Sequence, residues 1–200
     1  MKRTLLIFGF LILISCNSNR LGKNEIVQQS ENNVDSISIE KQKRFSEFKN
    51  KLPKYNLPIE LHCGFDSLLK LEDYKDYLDF IPRNMEKIYG YLNTNEISDL
   101  ILFGRVGDDL YPYIYSFDNN GKILDSLFLI INPCGGADGS YIPNSFAFID
   151  NKGQITMIDT SLYVHYIDNM KYKIDSTIIT KIAMKVDENG KFKETKKEVK

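Results

Sequence analysis

The sequence predicts an α+β fold that is mostly β, in which one to three N-terminal helices precede an antiparallel meander sheet that is curved or barrel-like. Helical spacing of apolar residues is confined to the region before Arg83, and alternation of apolar and polar residues dominates after it. A turn motif that favours hairpins also occurs three times in the second half of the chain. We therefore expect a helical start followed by a sheet built from hairpins.

Two stretches near the start of this domain have helical signals. Residues 39–52 place apolar side chains near one face among charged neighbours, and Pro53 ends the run. Residues 68–80 repeat apolar side chains at a similar spacing, and Pro82 breaks the pattern. We expect one helix in the first stretch and one or two short helices in the second.

Two later stretches have strand signals of different kinds. Residues 177–186 alternate in polarity, which predicts a strand with one face on a core and the other largely in solvent. Residues 127–131 are apolar at every position, which predicts a central strand that is buried on both faces.

The clearest internal regularity is a turn that recurs over residues 117–123, 149–155 and 186–192. Each copy has an apolar residue, Asp, two loop residues, Gly, a polar residue and another apolar residue. Asp bonds its own backbone and Gly supplies positive φ, so the motif predicts hairpin turns. An EF-hand calcium loop requires a different spacing of acids, and the sequence therefore predicts no metal site here.

The first sixteen residues differ in character from the rest of the chain. Lys2 and Arg3 precede an apolar run of ten residues, Leu5 to Ile14, and small Ser15 follows it. Ten residues rise about 15 Å as a helix, half of the roughly 30 Å that a membrane span needs. The pattern predicts a secretory signal peptide over residues 1–15 that is removed on export.

The four residues Leu13-Ile14-Ser15-Cys16 resemble the lipobox of bacterial lipoproteins. The resemblance implies that Cys16 is diacylated and becomes the new N-terminus, which attaches the protein to a membrane. Asn17 stands where an aspartate often marks inner-membrane retention in that family, so the resemblance implies the outer membrane, facing the periplasm. An ordinary signal peptide is the alternative.

Composition divides the remaining chain into a tether, a domain and a tail. Residues 16–39 are polar and aperiodic, which predicts a disordered tether behind the lipidated cysteine. Residues 40–195 form the single globular domain, and residues 196–200 form a charged tail. Removal of Lys2 and Arg3 with the signal peptide leaves 24 of the 26 basic residues, compared with 27 acidic residues. A net charge of about −3 gives no electrostatic argument for nucleic acid.

Two cysteines remain once Cys16 is set aside, and each follows an apolar run. In an oxidising compartment, Cys63 and Cys134 most simply form a disulfide. Buried thiols, or a reactive or metal-binding cysteine, are the alternatives. A thiol enzyme would need His165 as its base, because His62 is adjacent to Cys63 and points to the opposite face of a strand.

Two groups of residues are candidate binding sites. The Gly-rich segment after Cys134 offers Gly135, Gly136, Asp138 and Ser140 on a loop, although its glycines also fit a simple turn. A tyrosine stripe, Tyr111, Tyr113 and Tyr115, alternates along one strand face and ends at Phe117, and Tyr89 with Tyr91 could form a second ladder beside it. Ordinary sheet packing is the alternative for both tyrosine sets.

The sequence contains no convincing catalytic set and implies no cofactor or metal. The leading expectation is a non-enzymatic binding or interaction protein in the cell envelope, attached to the membrane by lipid and directed at a protein partner, of the inhibitor or immunity type. The first alternative is an envelope enzyme that uses Cys63 or Cys134 with His165. The second is a structural lipoprotein.

Overall fold

The computed structural model describes residues 21–63, 69–94, 98–107, 109–132, 141–168 and 171–200. Its elements are, in chain order, α1 (Leu21–Lys51), β1 (Lys54–Tyr55), β2 (Ile59–His62), β3 (Leu69–Lys70), a 3-10 helix (Leu71–Phe80), β4 (Lys87–Leu92), β5 (Asp99–Val106), β6 (Leu110–Phe117), β7 (Ile123–Phe128), β8 (Tyr141–Ile142), β9 (Ser145–Ile149), β10 (Ile155–Asp168), β11 (Lys171–Val186) and β12 (Phe192–Val199). The predicted α+β, mostly β fold is confirmed.

The strands form two six-stranded sheets. Sheet A has the order β1-β4-β5-β6-β7, with β3 also on β4, and sheet B has the order β12-β11-β10-β9-β2, with β8 also on β10. All pairings are antiparallel except that of β1 with β4. The single curved or barrel-like sheet that we expected is therefore replaced, in the described residues, by two sheets.

Strand β5 shows why sheet A has a layer on each side. Ile101 and Phe103 belong to a core with α1 and the 3-10 helix, whereas Leu100 and Leu102 belong to a core with sheet B. All four side chains are fully buried. Because neighbouring strand residues point to opposite faces, an apolar run on a strand needs partners on both sides.

Helix α1 packs on sheet A through its last turns. Phe45 and Phe48 of α1 are buried, as is Leu52 just after it, and the Phe45 ring lies 5.4 Å from the Phe117 ring of β6. The Phe48 ring lies 5.8 Å from the Phe80 ring of the 3-10 helix. The predicted helix is present, but α1 begins at Leu21, where a disordered tether was expected over residues 16–39. No proline interrupts residues 21–52, and each residue added to a formed helix gains one hydrogen bond.

Chain contacts divide the protein into two units, Met1–Ile37 and Ser38–Lys200. In the first unit, residues 21–37 are helical. None of the helices in the described ranges is long and apolar enough to cross a membrane.

In the second unit, β12 continues to Val199 on the edge of sheet B, where a charged tail was expected from residue 196. Exposed lysines are common on edge strands, because their charges discourage further pairing.

The helical prediction for residues 68–80 corresponds to 3-10 turns. They are interrupted at Tyr74 and Tyr77, where φ is −123° and −124°. Both tyrosines are buried with Phe80 against α1. The apolar spacing therefore identified only part of the side that packs, because Leu78, which was expected on that side, is exposed. The kinks separate the segment into short turns.

The three predicted hairpin turns are confirmed and have the same geometry. They join β6 to β7, β9 to β10 and β11 to β12, and the glycines Gly121, Gly153 and Gly190 have φ of 73–74°. In each turn one carboxylate oxygen, of Asp118, Asp150 or Asp187, accepts two backbone N–H groups at 2.8–2.9 Å. The aspartates therefore serve the turn itself.

The prediction of a central strand over residues 127–131 is wrong. β7 ends at Phe128 and is the edge of sheet A, and Leu129 and Ile130 follow it outside any strand. Leu129 is fully buried because it belongs to the core between the two sheets. Leu127 and Ile131 also pack against this core, so coverage by sheet B accounts for alternate residues of the run.

Candidate binding site

The tyrosine stripe lies on the helix-facing side of sheet A and is covered at one end only. Phe117 is fully buried, and its ring lies 5.4 Å from the Phe45 ring of α1. Tyr115 is half-buried and meets Phe103 edge-on at 5.4 Å. Tyr111 and Tyr113 are also half-buried. The stripe is therefore core at Phe117 and accessible toward Tyr111.

At its accessible end the stripe lines an aromatic pocket of about 320 Å³. The aromatic pocket is lined by Arg105, Val106, Gly107, Tyr111, Tyr113 and Phe128. The Tyr113 and Phe128 rings are stacked at 4.9 Å and 30°, whereas Tyr111 meets Phe128 at 5.9 Å and 73°. The rings form an angled wall instead of a flat platform.

Strand register brings these side chains together from three strands. Arg105 of β5 lies opposite Tyr111 of β6, and Tyr113 of β6 lies opposite Phe128 of β7. Directly opposed residues in an antiparallel pair share a face of the sheet. Gly107 allows the close approach of Tyr111, because a Cβ there would lie 2.8 Å from Tyr111 Cε2.

Arg105 is exposed at the rim of the pocket, and it has no hydrogen bond or ion pair with any residue that the structure describes. Arg44, by comparison, donates to both Asp79 carboxylate oxygens and to the Asp76 carbonyl. No residue in the described part of the chain occupies any of the five donors of the Arg105 guanidinium. Burial raises the pKa of Tyr115, and nearby Arg105 partly offsets that rise, so Tyr115 is a neutral phenol at pH 7.

A second polar group, the Asp159 cluster, consists of Asp159, Ser145 and Ser161 of sheet B together with Asn132, which lies outside any strand. Asp159 is 1% exposed. Its carboxylate accepts from Ser145 Oγ at 2.5 Å, from Asn132 Nδ2 at 2.7 Å and from Ser161 Oγ. The serine hydroxyls thus donate to a carboxylate. The two histidines of the chain bond other carboxylates, His62 that of Glu60 and His165 that of Asp175, and neither is the hydrogen-bond partner of these serines. The Asp159 cluster is a structural network.

The structure does not bring Cys63 and His165 together. His62 lies opposite Phe146 in β9, and Phe146 lies opposite Ile158 in β10. His165 is seven residues further along β10, which corresponds to about 23 Å at 3.3 Å per residue. Proton transfer needs hydrogen-bond contact or one bridging water. A dyad of these two residues is therefore not assembled.

Several predicted site residues lie outside the described residues. They are Cys16, Cys134, Gly135, Gly136, Asp138 and Ser140. The expectations for lipidation, for the Gly-rich loop and for a Cys134 nucleophile remain predictions. Within the described ranges, no group of three or more His, Cys, Asp or Glu side chains could hold a metal ion.

Sequence reasoning identified the tyrosines of the pocket and missed Arg105 and Phe128. Arg105 extends the alternation of Ile101 and Phe103, so its face could have been read from β5 alone. Phe128 could not, because its place beside Tyr113 depends on the pairing of β6 with β7.

Comparison with protein-family models, with curated proteins and with solved structures finds no match to this chain.

Proposed function

We propose that this protein is a lipid-anchored envelope protein that binds a partner protein, without catalysis, at the aromatic pocket. The observation that carries the proposal is the partial cover of the tyrosine stripe. α1 buries Phe117, while Tyr111 and Tyr113 stay accessible beside Phe128 and Arg105. An inhibitor or immunity protein acts in this way, by masking a surface of its target.

The residue types of the pocket support a protein interface. Tyr, Phe and Arg are enriched at the centres of such interfaces, because each combines a large apolar area with specific polar or ring contacts. Tyr113 and Phe128 are already held against each other at 4.9 Å. Binding would therefore order few additional side chains, which reduces its entropic cost.

The expected address supports the same function. A lipid on Cys16 would keep the domain at the outer membrane, facing the periplasm, where secreted toxins and hydrolases act. One acyl chain binds a membrane only marginally, whereas two or more chains anchor a protein stably. The small net negative charge gives no reason to invoke nucleic acid as a partner.

Membrane attachment is tested by Cys16→Ser. We expect the variant to move from the membrane fraction to the soluble fraction, because the acceptor of the lipid is gone. Immunoblots of fractionated cells measure the distribution, and Ser18→Ala, two residues away, should stay in the membrane fraction. A Cys16→Ser protein that still sediments with membranes would contradict the lipid anchor.

Partner binding is tested by Tyr113→Ala and Phe128→Ala. Truncation of a central aromatic residue should weaken capture of the partner from envelope extracts by about 2 kcal/mol, roughly 30-fold in Kd. Tyr172→Ala is the matched control, because Tyr172 is 47% exposed on β11 in the other sheet. Equal capture by all three variants would exclude the aromatic pocket as the binding site.

The proposal includes a disulfide between Cys63 and Cys134. Register supports the pairing, because Cys63 follows His62, which lies opposite Phe146, next to Ser145. Asn132 donates its backbone N–H to Ser145 Oγ at 3.1 Å, and Cys134 is two residues further on. Two residues span about 7 Å at most, and this length of chain would allow Cys134 to come within disulfide distance of Cys63.

A further inference from the structure

Arg105 is the charged side chain among the described residues that line the aromatic pocket. Arg105 is exposed at the rim and has neither a hydrogen bond nor an ion pair within the part of the chain that the structure describes. Glu86 precedes Lys87, which lies opposite Gly104, so Glu86 is next to Arg105 across the strand pair, yet no ion pair joins them. Asp109, nearby in sequence, uses one carboxylate oxygen to accept the Leu110 N–H at 2.7 Å. None of the carboxylates that the structure describes is bonded to the guanidinium, which can therefore pair with an anion of a partner.

The geometry of the rings limits what can lie beside that anion. Tyr113 and Phe128 cover one face of each other, and Tyr111 meets Phe128 at 73°. A sugar ring stacks best on an open aromatic face, whereas an angled wall surrounds a compact apolar side chain from two sides. The pocket, at about 320 Å³, is at the small end of the range for ligand sites and has room for one or two side chains.

We propose that the aromatic pocket binds an acidic peptide segment of the partner protein, with a carboxylate on Arg105 and the adjoining apolar side chain against Tyr113 and Phe128. The inference rests on the proposed function and specifies the chemistry of its partner. Arginine pairs with carboxylates through two parallel hydrogen bonds, which fixes orientation as well as charge. The pocket thereby selects an acidic group next to an apolar one.

The test uses the full chain, purified in detergent, and two blocked dipeptides as probes. Phenylalanyl-glutamate carries the carboxylate, and phenylalanyl-glutamine has the same shape without the charge. Titration followed by NMR measures both affinities. We expect the glutamate probe to bind about tenfold more tightly, because a charge-assisted pair is stronger than a neutral one.

Variants then assign the preference to residues. Arg105→Gln should abolish the preference for the glutamate probe, while Arg83→Gln, at another exposed arginine, should leave it unchanged. Tyr113→Ala should weaken both probes. Thermal unfolding of each variant shows whether the fold is intact. If Arg105→Gln fails this check, Arg105→Lys takes its place, because it keeps the charge and loses the bidentate geometry.

The possible failures are distinguishable. Equal affinity for the two probes, lost in Tyr113→Ala, would overturn the acidic partner and leave the proposed function standing. Tighter binding of glucuronate than of either dipeptide, dependent on Arg105, would overturn a peptide partner in favour of an acidic sugar. Absence of binding by any probe at millimolar concentration would overturn the acidic peptide, and with unchanged partner capture by Tyr113→Ala it would remove the proposed function too.

Discussion

The three turn aspartates share their backbone geometry and differ in their charged neighbours. Each accepts two N–H groups of its own turn, but Asp187 also pairs with Lys193 at 2.8 Å. The Lys193 hydrogen bond, followed by those from the backbone, lowers the pKa of Asp187 to about 2. At the scale of single residues, we therefore expect only the turn of Asp187, among the three, to make a pH-dependent contribution to stability through its ion pair.

Replacing Asp187 tests this contribution. The folded pKa is about 2 and the usual value about 4, so ionised Asp187 stabilises the fold above pH 4, and the effect is lost as the pH falls toward 2. We expect Asp187→Asn to lower the free energy of unfolding most at pH 7 and progressively less between pH 4 and 2. Urea denaturation at several pH values measures it.

Asp150→Asn provides the control for the turn itself. Asp150 has the same two backbone bonds and no ion pair with a described residue. Its substitution reports the cost of the turn without Lys193. A penalty for Asp187→Asn that is constant from pH 7 to pH 2 would show that ionisation of Asp187 does not contribute to folding.

Elements were predictable from the sequence where their interactions are local. The Asp and Gly residues of each hairpin turn interact within five residues, and the helical face of Phe45 and Phe48 repeats within one turn. Strand placement depends on distant residues and was less predictable. A bulge between Ile88 and Gly90 puts Tyr89 in the core between the sheets and Tyr91 beside the other core, so they form no ladder.

The Asp159 cluster illustrates the same limit in β10. A buried aspartate in a strand is unusual, and only the fold shows that Ser145, Ser161 and Asn132 satisfy it. Asn132 precedes residues 133–140 and Tyr141 follows them. The cluster therefore fixes β9, β10 and the residue that leads into the Gly-rich segment.

We expect Asp159→Ala to destabilise the protein by about 2–4 kcal/mol, because it leaves several buried donors without an acceptor. Ser145→Ala should cost about 1–2 kcal/mol, and the double variant should cost less than the sum, since both residues belong to one network. Thr160→Ala, on the opposite face of β10, should cost under about 1 kcal/mol. Additive costs for Asp159 and Ser145 in urea denaturation would contradict the network.

On the scale of the whole molecule, polar bonds tie the two sheets together at one corner. Ser116 Oγ of β6 donates to the Gly190 carbonyl at 2.5 Å, and the Phe192 N–H donates to Asp125 Oδ2 of β7 at 2.9 Å. Gly190 also lies against Leu124, where a Cβ would come within 2.4 Å of Leu124 Cδ1. The third turn is thus both a hairpin and a contact between sheets.

The proposed disulfide would join the end of β2 in sheet B to the chain that leaves β7 of sheet A. Closing a loop of 71 residues stabilises a fold by about 4 kcal/mol in the chain-entropy model. We therefore expect Cys63→Ala, Cys134→Ala and the double variant to lose the same stability in urea denaturation, and reduction of the wild-type protein to have the same effect. Thiol labelling should detect neither cysteine before reduction, and the remaining cysteine in each single variant. Full labelling of both cysteines in the unreduced protein would refute the pairing.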